Sequence, residues 1–159
     1  MIFSIVLFAA SWLCFFIFYK KEKFFLYAPT CYLAVILGLM TDVLTDHYPL
    51  WQYPASSEIQ KFWRDILDDF GVYFVVTYLF LQALPQKTTL LAFFRYFFYW
   101  TLLAVSLEWI ALKTGNMEYG LWWNIGYSYL ADWLLFAFFY GHYRWQEKNR
   151  KVNSGFNRL

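Results

Sequence analysis

The sequence predicts an all-α integral membrane protein, a bundle of about five transmembrane helices with its N-terminus outside and its C-terminus in the cytoplasm. Three observations predict it. Of 159 residues, 61% are hydrophobic and 26% aromatic. Only 15% are charged, against about 25% in soluble domains. A water-soluble fold of this size has too high a surface-to-volume ratio to hide so much apolar surface. Finally, apolar runs approaching the roughly 20 residues that a span requires recur five times.

The runs cover about 2–19, 24–44, 66–84, 90–112 and 121–143. Together they make one transmembrane domain, 1–145, followed by a polar cytoplasmic tail, 146–159. The first run stops at Lys20, Lys21, Glu22 and Lys23. It has no basic residues before it and no small-residue cleavage site after it, so it reads as a retained span and not a signal peptide. The second ends near Asp46 and His47, and the third is stopped by Pro85. Pro29, Pro49 and Pro54 fall at span ends or in the outer loop, 45–57, where a missing N–H does little harm. Ser57 followed by Gln60 resembles a capping box, so the third helix is expected to start near Glu58. Ile59, Phe62, Trp63, Ile66, Leu67 and Phe70 then give it an apolar stripe.

Charge sets the orientation. Lys20, Lys21, Lys23, Lys87, Arg95, Arg144, Lys148, Arg150, Lys151 and Arg158 fall inside, and only Lys61, Arg64 and Lys113 outside. That is ten of the thirteen basic residues on the cytoplasmic side, as the positive-inside rule requires. Trp51, Trp63, Trp109, Trp122 and Trp123 map to the outer interface and Trp145 to the inner one, as an aromatic belt does. The two cysteines, Cys14 and Cys31, lie in apolar runs without metal-ligand spacing and read as buried free thiols.

The residues that could carry chemistry are mostly acids. Asp132 lies about eleven residues from either end of the fifth run, and a carboxylate at mid-span costs roughly 2.5–3.5 kcal/mol to insert. Asn124, Ser128 and Asp132 recur every four residues and share a helical face, a polar stripe that stops at Phe136 and Phe139. It suggests a pocket open outward; the alternative is that Asp132 bonds to neighbouring helices or pairs with Arg95. Asp42 and Asp46, with His47 adjacent, join Asp69 and Glu108 at similar depth in an expected acidic vestibule. Such a vestibule suits a cation, a divalent metal ion or an amine, although the spacing is no metal motif and the identity of any metal or cofactor stays open. Asp46 alternatively ends a helix, and Asp65 and Asp68 alternatively pair with Lys61 and Arg64 along the helix. His142 reads as interfacial. Arg95 reads as snorkelling to the inner interface.

From Glu108-Trp109, through Thr114-Gly115-Asn116-Met117-Glu118-Tyr119 and Trp122-Trp123-Asn124, to Tyr143-Arg144-Trp145, residues 105–146 resemble an uncharacterised family of small multi-spanning membrane proteins of spore-forming Gram-positive bacteria. The resemblance implies a multi-pass cell-membrane protein and brings no activity.

Three function classes remain. An accessory or structural subunit of the cell envelope, packed against lipid, a membrane-protein partner or a second copy, ranks first. An outward-facing binding or transport-type protein for a cation or small amine follows. A lipid-modifying enzyme using Asp132 and Glu108 ranks last, because their depths are expected to differ by roughly 10–12 Å at 1.5 Å per residue. No nucleotide-binding loop, zinc-protease helix or nucleophile elbow is present, and nothing in the charge pattern suits nucleic acid.

Overall fold

The computed structural model describes residues 1–85 and 89–156, the last five by backbone alone. Lys87 and Arg158, both counted above on the cytoplasmic side, lie outside the described residues. The architecture is all-α. Helix α1 spans Ile2–Phe18 and α2 Lys21–His47. A third helix, α3, occupies 58–82 in three continuous parts: Glu58–Asp68, a π-helical turn Asp69–Tyr73, and Phe74–Gln82. Helix α4 spans Leu90–Lys113 and α5 Ile125–Phe156. The expected polar tail is thus largely a continuation of the fifth helix. Two short strands, β1 (Trp51–Gln52) and β2 (Glu118–Tyr119), pair antiparallel, Trp51 opposite Tyr119, and tie the α2–α3 and α4–α5 loops together.

Among the described residues, α2 and α4 are long and apolar enough to cross a membrane by length and composition. The apolar window of α4 is only 11% buried. Helix α1 is apolar but shorter.

Helix α2 is central. It packs along the C-terminal half of α3 and meets α5, while α4 packs along α5 and α1 crosses α3 at the π turn. The core joins Phe15 of α1, Tyr27, Cys31 and Val35 of α2, Tyr78 and Phe80 of α3, Phe97 of α4, and Phe136 and Phe139 of α5. Cys31 is buried as expected, whereas Cys14 is exposed. The tight α1–α2 turn leaves helix-end carbonyls needing donors, and α3 supplies them. Gln82 Nε2 donates to Phe18 O at 2.6 Å, and Tyr78 Oη donates to Lys20 O at 3.1 Å.

Pro29 departs from expectation, because it sits inside α2. A proline there removes the N–H that would reach the carbonyl four residues back, which is Phe25 O. Arg150 of α5 donates its Nη2 to that oxygen at 2.8 Å. His142, read as interfacial, places its Nδ1 2.9 Å from the buried Thr30 Oγ1.

The N-terminal part of α3 is turned inside out. Ile59, Phe62 and Trp63 of its apolar stripe are 72%, 57% and 52% exposed, while Arg64 and Asp69 are buried. Ser57 caps the helix, accepting from Gln60 N at 3.2 Å. The reciprocal bond goes to Ser56, whose N–H donates to Gln60 Oε1 at 2.9 Å.

Candidate functional site

The inward-facing charges of α3 meet the last turns of α2 beneath the loop 48–57, and a cavity of about 320 Å³ opens there. Arg64 builds one wall. Its Nε and Nη2 both donate to Asp65 Oδ1, at 3.2 and 2.7 Å, and its Nη1 donates to Tyr53 O at 2.9 Å. The guanidinium lies over the Tyr53 ring, 4.3 Å from its centre, a cation–π contact. Burial, and then the nearby Asp68 carboxylate, hold the Tyr53 phenol well above the ordinary tyrosine value. Lys61 pairs with Asp46 across the cavity rim; both are partly exposed, so this pair is worth little.

Asp42 lines this cavity and also a smaller one of about 30 Å³, bounded by Asp68 of α3, Asn116 of the α4–α5 loop, and Phe3 and Ser4 of α1. Its carboxylate has no hydrogen-bond or ion-pair partner among the described residues. Trp51 also lines the larger cavity and packs on Trp123 with ring centres 5.2 Å apart.

Asp69 lies one helical turn inward of Asp65. It is 1% exposed, and its Oδ2 has no hydrogen-bond partner. Opposite is Gly38, one turn inward of Asp42, and a Cβ added there would overlap Asp69 Oδ1. The π turn begins at Asp69, whose carbonyl accepts from Phe74 N. Gly71 within it lets α1 come close, since a Cβ there would stand 3.2 Å from the Phe8 backbone.

Glu108 belongs to a separate cluster. Its Oε1 accepts from Tyr119 Oη at 2.6 Å and from Ser128 Oγ at 2.5 Å, and Ser128 in turn accepts from Trp123 Nε1 at 2.8 Å. Burial, and then the bond to Glu108, raise the Tyr119 phenol above its ordinary value. Asn124 is not a rung of this stripe: it is exposed, and its Oδ1 accepts from Gly126 N at 2.9 Å at the start of α5. Asp132 lies one turn inward of Ser128, about 6 Å along the axis. Glu108 and Asp132 are therefore closer in depth than their places in the sequence suggest. No ion pair joins Asp132 to Arg95, which is exposed. Replacing Ser128 with Ala is expected to lower stability by about 1–2 kcal/mol, with a shift in Trp123 fluorescence; thermal unfolding in detergent checks it.

Of the expected vestibule, then, Asp42 and Asp46 line the cavity and Asp69 lies just beneath it. Glu108, Ser128 and Asp132 form the other cluster. His47 is exposed and donates Nδ1–H to Val43 O at 3.0 Å. Among the described residues, no three His, Cys, Asp or Glu side chains are grouped to hold a metal ion. Asp65 pairs with its neighbour Arg64 and Lys61 with Asp46, in place of the pairs along the helix suggested by spacing. Arg64, Tyr53 and Trp51 escaped the sequence reading as site residues. Comparison with family models, with curated proteins and with solved structures finds no match.

Proposed function

We propose that the chain crosses the cell membrane five times, with its N-terminus outside, and that its outer end binds a small organic cation in the cavity over Asp42. The carrying observation is that carboxylate, unpaired in a cavity where acids outnumber bases. Asp42, Asp46, Glu58 and Asp65 line it against Lys61 and Arg64, four to two. Both bases are already paired, with Asp46 and Asp65. An ammonium group entering there meets the Asp42 carboxylate and the face of Trp51, a combination suited to organic cations. The volume falls at the lower end of small-ligand pockets.

The membrane part of the reading is supported by apolar surface on every helix. Ile2 and Phe16 of α1, Phe25 and Met40 of α2, Ile59 of α3, Leu90 and Leu91 of α4, and Leu134 of α5 are all more than 60% exposed. Soluble monomers rarely expose large apolar surface of this kind. The Arg150–Phe25 bond brings the basic end of α5 to the basic start of α2, so most cations share one end, as a cytoplasmic face requires. For the test, Cys14 and Cys31 are changed to Ser. A membrane-impermeant maleimide on intact cells is then expected to label the Ser56→Cys variant and spare Lys148→Cys; the reverse pattern overturns the orientation.

The ligand is tested by calorimetry on the protein in lipid nanodiscs with propylammonium and tetramethylammonium. Binding that weakens at least tenfold in Asp42→Asn, about 1.4 kcal/mol or more, supports the reading. Binding unchanged in Asp42→Asn, or none in the wild type, overturns it. The accessory-subunit reading then stands in its place, supported by the exposed apolar flank of α4 and tested by co-purification with another envelope protein.

A further inference from the structure

Below the cavity floor the structure holds a carboxyl group that the cavity itself does not use. Asp42 and Gly38 stand four residues apart on α2, and Asp65 and Asp69 four apart on α3, so each pair shares a helical face. The outer rung, Asp42 and Asp65, lines the cavity. The inner rung is Asp69 seated against Gly38. Glycine leaves the space that the carboxyl group fills.

The groups facing Asp69 carry the wrong sign to stabilise a second negative charge. From α2 there is Asp42. Its own helix brings Asp65 and Asp68, with the Arg64 guanidinium spent on Asp65 and Tyr53, and Tyr73 within the π turn. Helix α1 meets the turn through Phe8, and the one titratable side chain in that helix is Cys14. An ionised carboxylate buried without a partner is costly, and the group avoids that cost by holding a proton. A protonated carboxyl is neutral, so leaving Oδ2 of a side chain only 1% exposed without a partner costs it far less than it would cost the carboxylate.

We propose that Asp69 is a proton-binding site, exchanging its proton with the outer cavity through the Asp42–Asp65 rung one helical turn above it. The π turn beginning at Asp69 is the kind of local unwinding found at functional positions in helices, and it gives the carboxyl a place where backbone adjustment is cheap. A cation held at Asp42 would sit one turn from this proton and oppose it electrostatically, so proton release and cation entry would be linked. The site itself rests on the packing of α2 and α3, whatever the cavity binds.

The test is infrared difference spectroscopy of the protein in lipid vesicles, stepped from about pH 5 to about pH 9, well above the ordinary carboxyl range, with no amine present. The wild type is expected to show the carbonyl stretch of a buried protonated carboxylic acid, diminishing as pH rises. The band is expected to be lost in Asp69→Asn and kept in Asp42→Asn and Asp132→Asn. A wild type without such a band overturns the proposal, and so does an Asp69→Asn variant whose band is as strong as that of the wild type. Should Asp69→Asn fail to fold, Asp69→Glu supplies the second readout: the band must shift in frequency, and an unmoved band overturns the assignment. Because no cation is used, this result is separate from the calorimetric one.

Discussion

Changing Gly38 to alanine destabilises the protein, while the same change at Gly141 stabilises it. Alanine in a helix is normally favoured over glycine by about 0.5–1 kcal/mol. Gly141 in α5 has open space where a Cβ would stand, so it should show that ordinary gain. At Gly38 the new methyl falls on Asp69 Oδ1. The carboxyl is buried, and overpacking of this kind costs about 1–3 kcal/mol. The clash is larger than the propensity gain, and the net loss is expected to be about 1 kcal/mol. Adding Asp69→Ala to Gly38→Ala removes the obstacle, so the double variant should be more stable than the sum of the single effects by about 0.5–3 kcal/mol. Thermal or denaturant unfolding of the four proteins measures this directly. Strict additivity would mean that α2 and α3 do not meet at these two residues.

Arg64→Met should cost still more, about 3–5 kcal/mol, because it strands a partly buried carboxylate. Three hydrogen bonds go with the guanidinium, one of them holding the loop carbonyl of Tyr53. Lysine is no substitute, having a point charge where a planar fork serves two acceptors. Arg64→Met with Asp65→Asn should recover part of the loss, since asparagine leaves no charge unpaired. Equal instability of the single and double variants would show that the bond to Tyr53 matters more than the ion pair. Wild-type stability in Arg64→Met would mean that the guanidinium does not hold the wall of the cavity.

The helices were legible because apolar runs and their breakers survive in any environment. Their ends were less so. Pro29 reads as a boundary, as proline usually does, yet α2 continues through it, and a side chain 125 residues away answers the unpaired carbonyl; no local pattern carries that information. The site was obscured by an inversion. Lys61, Arg64, Asp65 and Asp68 read as pairs along the helix, and in water the stripe of Ile59, Phe62 and Trp63 would turn inward. The structure turns it outward, which directs the charges into the protein. Asn124 had a signal that was available: an Asn just before a helix is more often its cap than a member of a stripe. The π turn had none, since it depends on the approach of Phe8 to Gly71 and of Asp69 to Gly38.

The bond from Arg150 to Phe25 O also bears on biosynthesis. The second helix leaves the ribosome with one carbonyl, Phe25 O, that its own helix cannot satisfy, and the donor lies in α5, made more than a hundred residues later. Until α5 is in place, that break in α2 must be answered by solvent, or stay open. A nascent chain stalled after the fourth helix should therefore remain exposed to quality-control proteases, however complete its earlier packing.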